Sequence, residues 1–154
     1  MFQFARLAIL AVVGLTSTAV GWTEKPDDKK PTVEFRLAEQ TPADGLTEAK
    51  VLGTENKVYL HKTAALTAAD IVSAEVKVDQ KTLDPIIDIR LTEAGTKKIG
   101  KLTEDNIGKL LAVVVDGKVI SAPVIRAKVG EHAVITGKFT KAEAEKLAAV
   151  IGGK

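Results

Sequence analysis

Side chains able to do acid–base, nucleophilic or metal chemistry are few and scattered in this 154-residue sequence. The two histidines, His61 and His132, lie in separate segments without a companion at metal-ligand spacing, and a catalytic zinc site typically takes three protein ligands. Asp84 and Asp88 could form an acid–base pair, but their positions beside a turn proline and on an alternating segment favour turn and solvent-facing roles. No G-x-S-x-G, H-E-x-x-H or glycine-rich phosphate loop is present. The sequence therefore predicts a protein that is not an enzyme and takes neither cofactor nor metal.

A different group of residues is concentrated around an apolar stretch, LLAVVVDGKVISAPVIR, at residues 110–126. Two β-branched arms meet at Asp116 and Gly117, a pair that can take the positive φ angles of a type I′ turn. The stretch is therefore predicted to be a β-hairpin of central strands, with these two residues as its structural turn. Pro123 cannot donate to a strand ladder, so the second arm is expected to bend or to reach a sheet edge there.

Ser121, Pro123, Arg126 and Lys128 lie in and beside this hairpin. Two interpretations apply to Arg126. It could form a surface ion pair with an acid such as Glu131, a common arrangement that contributes about 0–1 kcal/mol, or it could meet a polypeptide. An exposed strand edge near Pro123 would bind an extended peptide through main-chain groups, with alternate side-chain pockets giving preference.

The elements that must position these residues follow from the spacing of apolar side chains. Alternating or apolar segments predict strands at residues 33–37, 49–52, 57–61, 71–78 and 87–91. Thr67 and Asp70 have the spacing of a capping box, which predicts a single helical turn between two of these strands.

Two helices are predicted after the strands. Thr92 is the expected N-cap of a helix that ends near Asp105, with an apolar stripe facing inward. Thr140 and Glu143 form a second capping box, and the helix that follows closes at residues 152–153, a glycine pair. Strands accompanied by two amphipathic helices predict an α+β two-layer sandwich, with a mostly antiparallel sheet covered on one face.

The N-terminal residues predict a secretory signal peptide followed by a linker. An apolar run at residues 7–21 follows a positive charge, and small residues lead to an expected cleavage after Ala19, or alternatively after Gly21. An uncleaved anchor is the rival interpretation, but the run is about 15 residues where a spanning helix needs roughly 20. Residues 1–19 are thus assigned to the signal peptide, 20–31 to a linker and 32–152 to one domain. The protein is expected to be periplasmic or secreted, with no stable membrane span after signal cleavage.

The composition disfavours several classes of partner. Lysine and arginine total 22 against 20 acidic residues, so no strong field is expected for nucleic acid or an anionic membrane. Aromatic residues make up 4% of the chain, which disfavours a small-molecule pocket. Cysteine is absent, so the hydrophobic core alone must stabilise the fold.

Residues 106–126, NIGKLLAVVVDGKVISAPVIR, resemble the signature in the head of the first periplasmic domain of SecD, from the SecDF protein-export family. The resemblance extends upstream over residues 58–80 and 88–109, and downstream over residues 135–151. It implies a ferredoxin-like core. The residues that match the signature are Asp116, Gly117, Ser121, Pro123 and Arg126. The family's glycine-rich turn after the signature is replaced here by residues 130–133, GEHA.

This resemblance implies a non-catalytic, extracytoplasmic, stand-alone domain that binds exported or unfolded polypeptide or an envelope protein partner. The candidate residues for contact with a polypeptide are Ser121, Pro123, Arg126 and Lys128. In the family, the head is proposed to contact preproteins outside the membrane. The transmembrane helices through which the family couples proton flow to export have no match in this sequence, so a passive role is expected. The alternative is a structural or self-associating envelope interaction module unrelated to export, so a homo-oligomer stays open. A sheet edge occupied by peptide, or by a second copy, distinguishes the two hypotheses.

Overall fold

The computed structural model describes residues 31–153, which form eight strands and two α-helices. The strands are β1 (Val33–Glu39), β2 (Thr47–Lys50), β3 (Lys57–Thr67), β4 (Ile71–Val78), β5 (Pro85–Leu91), β6 (Leu110–Val115), β7 (Lys118–Ser121) and β8 (His132–Ile135). The helices are α1 (Glu93–Asp105) and α2 (Lys141–Ile151). The expected signal peptide, residues 1–19, and the expected linker up to residue 30 lie outside the described residues.

Five strands form one sheet in the order β2-β3-β1-β6-β7. All six residues of β6 are buried, because the strand lies between β1 and β7 and both of its faces pack against apolar side chains. The outer strands of this sheet approach each other. Val51 forms a bridge with Val119 of β7, and the Leu52 amide donates to the Val119 carbonyl at 2.8 Å. One face of the sheet thereby encloses a small apolar core of its own, to which β6 contributes Leu110, Ala112 and Val114.

The remaining strands form a three-stranded antiparallel sheet in the order β4-β5-β8. The larger core joins the two sheets and both helices. It includes Val113 from β6, Ile89 from β5, Ile99 from α1 and Ile151 from α2, each no more than 2% exposed. Within residues 31–153, neither helix combines the length and the apolar character needed to cross a membrane.

The predicted α+β class, the mostly antiparallel pairing and the two helices are confirmed. Thr92 accepts a hydrogen bond from the Gly95 amide at 3.0 Å as the N-cap of α1, and Thr140 with Glu143 forms the capping box of α2. A 3-10 turn at Ala68–Asp70 has the predicted capping box. The strands divide between two sheets where one was expected, because alternation shows which residues face a core but not which strands pair.

The apolar hairpin is confirmed as β6 and β7, joined at Asp116 and Gly117. These residues have φ angles of +48° and +75°, the positive values that a type I′ turn requires. The Asp116 carboxylate also accepts a hydrogen bond from the Thr32 amide at 2.9 Å, which joins the turn to the start of β1. Strand β7 ends at Ser121, shortly before the predicted break at Pro123.

Candidate functional site

A groove of about 370 Å³ runs between β8 and residues 123–129, the segment that follows the hairpin. Its volume lies within the roughly 300–1,000 Å³ typical of ligand pockets. Buried apolar side chains form its floor: Phe35, Leu111, Val113, Ile125 and Ile135. Two exposed valines also line it, Val124 at 42% and Val134 at 49% exposure. This β8 groove can therefore accept apolar side chains from a partner.

The wall opposite β8 is held at both ends by hydrogen bonds to the rest of the fold. Near its start, the Ile125 amide donates to the Lys109 carbonyl at 2.8 Å. At its end, the Val129 amide donates to the hydroxyl of Thr103, a fully buried residue of α1, at 2.9 Å. The groove is consequently formed before any partner arrives.

The other side of the groove is a strand edge. One edge of β8 pairs with β5, and the Leu91 amide donates to the Glu131 carbonyl at 2.8 Å at the start of that ladder. Because hydrogen-bonded and non-hydrogen-bonded pairs alternate in an antiparallel ladder, the amides and carbonyls of His132 and Val134 point away from β5. Among residues 31–153, no backbone group pairs with them on that side. A row of main-chain donors and acceptors therefore faces the groove.

Ser121, a predicted contact residue, is 5% exposed and does not line the groove. Its hydroxyl donates to the carbonyl of Thr136, which follows β8 directly. The side chain therefore links the end of β7 to the end of the free edge. A direct contact between Ser121 and polypeptide stays a prediction.

Pro123, Arg126 and Lys128, the other predicted contact residues, all line the groove. The alternative ion pair between Arg126 and Glu131 is not formed. Glu131 instead lies 2.6 Å from Arg90 of β5, whose hydrogen bond lowers the pKa of the Glu131 carboxyl. Lys128 pairs with an exposed glutamate of α1 at 2.8 Å. Among the described residues, Arg126 has no acidic partner within 4.0 Å, so its exposed guanidinium is the uncompensated charge of the groove.

The two histidines lie in separate polar contacts. His61 Nε2 lies 3.2 Å from Glu39 Oε1, and Lys109 Nζ lies 2.9 Å from the same oxygen, so hydrogen bonds from Lys109 and His61 lower the pKa of Glu39. His132 Nδ1 lies 3.7 Å from Asp88 Oδ1, and Lys77 of β4 forms an ion pair with the same carboxylate. In residues 31–153, no group of three or more potential metal ligands is arranged to hold an ion.

A larger depression of about 740 Å³ overlies the turn between β2 and β3, and residues 50–56 with Lys138 line it. Most of these residues are exposed and polar, and Leu52 at 59% exposure is its main apolar side chain. It lacks the buried apolar floor of the smaller groove, which is therefore the better candidate site.

The sequence predicted residues of one wall of the groove, whereas the opposite edge and the floor were not predicted. The signal for β8 was the alternation of inward-facing Ala133 and Ile135 with outward-facing His132 and Val134. Residues 130–133 were instead expected to replace a glycine-rich turn of the family, and the resemblance downstream began only at residue 135. The floor has no local signal, because Phe35 and the residues of β6 reach the groove through long-range pairing of strands.

Comparison with known proteins matches residues 44–153 to the family model described as SecDF, P1 head subdomain. The protein translocase subunit SecD of Aquifex aeolicus is 44% identical over 92 residues, which cover 60% of this chain and 18% of that protein. SecD of Elusimicrobium minutum is 36% identical over 126 residues, covering 82% of this chain and 26% of that protein. This chain thus spans about a quarter or less of the length of these relatives.

Two solved structures show the same similarity. The crystal structure of SecDF in its super-membrane-facing form matches with a TM-score of 0.65 and 29% identity, covering 80% of this chain and 19% of that one. A structure of SecDF, described as a membrane component that enhances protein export, matches with a TM-score of 0.62 and 28% identity. The match covers 80% of this chain and 62% of that chain.

Proposed function

The chain belongs to the SecDF P1 head family, and we propose that it is a non-catalytic, extracytoplasmic domain that binds exported or unfolded polypeptide. The observation that carries the proposal is the β8 groove, in which an apolar floor lies beside a free strand edge. A role in export is supported by the relatives, which are named as protein translocase subunits.

The composition of the groove favours weak, reversible binding of apolar segments. Burial of one Val, Leu, Ile or Phe side chain contributes roughly 1.5–3 kcal/mol, so two such side chains would contribute about 3–6 kcal/mol. Association costs free energy of similar size, through lost rotational and translational freedom. Even about 6 kcal/mol corresponds to a dissociation constant of only about 40 μM, so we expect apolar contacts alone to bind more weakly than this, which suits a polypeptide that must be released.

Two of the polar side chains at the groove, those of Thr103 and Lys128, already have structural partners. The Thr103 hydroxyl bonds to α1 carbonyls and to the Val129 amide, and Lys128 pairs with Glu104. Since most of the remaining lining is apolar, the groove suits binding rather than bond-breaking chemistry.

A photocrosslinking experiment tests the proposal with a matched control inside one sheet. A photoreactive amino acid replaces Val134 on β8 or Val78 on β4, the opposite outer strand. The two valines are similarly accessible, at 49% and 58% exposure. With a labelled, unfolded preprotein, we expect adducts from position 134 and few from position 78.

Equal labelling from the two positions, or none from position 134, would contradict the proposal. A single adduct of the chain with itself at position 134 would instead support the alternative of a self-associating envelope module.

A further inference from the structure

The free edge of β8 has the hydrogen-bonding pattern of an unfinished sheet. His132 and Val134 each direct one amide and one carbonyl toward the groove, and strand geometry spaces these sets by about 6.4–6.8 Å. An extended polypeptide presents donors and acceptors at the same interval. Each hydrogen bond formed would strengthen binding, whichever side chains the segment carries.

The side chains of a strand added at this edge would alternate between the two faces of the sheet, as those of β8 do. Ala133 and Ile135 pair with core residues of β5, whereas Val134 lies on the exposed face of the sheet. Alternate side chains of the added strand would therefore lie over the apolar floor that includes Phe35 and Leu111. The intervening side chains would lie beside Val134. This arrangement fits a segment with apolar residues at every second position.

The charges around the groove distinguish among such segments. Lys128 is paired with Glu104 at 2.8 Å, and Glu131 is paired with Arg90 at 2.6 Å. Arg126 lines the groove, is exposed, and has no acidic partner within 4.0 Å in the described part of the chain. A guanidinium binds a carboxylate through two parallel hydrogen bonds, so the complementary group is an aspartate or glutamate side chain.

From these observations we propose that the β8 groove binds an extended polypeptide segment that joins the sheet as a fourth strand and places a carboxylate side chain at Arg126. The inference rests on the proposed function and specifies its mode of recognition. Main-chain pairing makes the site tolerant of sequence, while the apolar floor and Arg126 favour alternating apolar segments that carry an acidic residue.

Fluorescence anisotropy of labelled peptides with the full chain tests the two parts of the inference. The reference peptide alternates valine with threonine and has one glutamate. One variant has lysine in place of that glutamate, and two variants have N-methyl groups on the odd-numbered or the even-numbered amides. An added strand uses the amides of one edge only, so we expect one methylated set to bind at least tenfold more weakly than the other. We also expect the lysine peptide to bind more weakly than the glutamate peptide.

The role of Arg126 is tested by Arg126→Glu, with Lys118→Glu as a control that changes the charge equally at an exposed position outside the groove. We expect Arg126→Glu to reverse the preference, so that the lysine peptide binds better, and Lys118→Glu to leave it unchanged. The inference is overturned if both methylated sets bind equally or if both protein variants reverse the preference, although the proposed function would then stand. Absence of binding by every peptide would instead refute the proposed function. A dimer in sedimentation that Val134→Lys abolishes would assign the edge to a second copy, which also overturns the inference.

Discussion

Thr103 controls how firmly the wall of the β8 groove is attached to helix α1. The residue is fully buried, and its hydroxyl donates to the Ile99 carbonyl at 2.7 Å. The same hydroxyl accepts a hydrogen bond from the Val129 amide at 2.9 Å. A single oxygen thus joins the helix to the end of the segment that faces β8.

Substitution Thr103→Val removes this oxygen while nearly preserving the volume of the side chain. The Val129 amide then loses its acceptor, and an unpaired buried donor costs about 1–3 kcal/mol. We expect the lower half of that range, because Val129 is only partly buried. The matched variant Thr103→Ser keeps the hydroxyl and deletes one methyl group, for which a loss of about 0.5–1.5 kcal/mol is expected by analogy with Ile→Val.

Urea denaturation gives the free energy of unfolding, but the two ranges overlap, so the decisive assay is amide hydrogen exchange at Val129. We expect Thr103→Val to accelerate exchange at this amide and to weaken peptide binding in the groove. Thr103→Ser should keep the amide protected even where it lowers global stability. A Val129 amide that stays protected in Thr103→Val, or that loses protection equally in both variants, would refute the assigned role of the hydroxyl.

Two further predictions concern the start of α1 and the 3-10 turn packed against it. Gly95→Ala would place a Cβ 2.7 Å from the Asp70 carbonyl oxygen, so the helix or the turn must shift. We expect this shift to lower the free energy of unfolding, measured by urea denaturation, by about 1–3 kcal/mol. Gly130→Ala meets nothing within 4 Å and should change stability by less than about 0.5 kcal/mol, whereas equal effects of the two substitutions would contradict this packing. Burial raises the pKa of Asp70, but other interactions outweigh this effect. Hydrogen bonds from Lys98 and from the amide and hydroxyl of Thr67, together with the positive charge of Lys98, lower the pKa below its ordinary value of 3.8. A carboxyl whose pKa is lowered by folding stabilises the protein at pH values above its unfolded pKa. That stabilisation is lost as the pH falls through the folded pKa, so the free energy of unfolding should decrease below about pH 4. Asp70→Asn should flatten this decrease in urea titrations at several pH values, and an unchanged slope would count against the ion pair with Lys98.

Local elements of this fold were predictable because their causes are local. The Asp116–Gly117 turn was predicted because those residue types tolerate the positive φ angles that a tight hairpin needs. The starts of α1 and α2 were predicted because Thr92 and Thr140 supply side-chain oxygens to backbone amides that lack helical partners. These interactions involve residues three positions apart, so the sequence shows both members together.

The groove was only partly predictable, because residues distant in sequence form it. Phe35 of β1 and Ile135 of β8 are 100 positions apart and belong to different sheets, and only the packing of the two sheets around one core brings them to one floor. The same effect explains the ion pair of Glu131. Glu131 is close to Arg126 in sequence, which suggested an ion pair between them. The ladder between β8 and β5 instead places Glu131 beside Arg90.

Amide hydrogen exchange can show whether extended polypeptide binds at the free edge of β8. Exchange is measured on the full chain with and without a saturating amount of the glutamate-bearing alternating peptide. We expect slower exchange at the amides of His132 and Val134, which gain partners, and no change along the outer edge of β4. Unchanged exchange at His132 and Val134 at saturation, or protection of β4 instead, would contradict binding at the β8 edge.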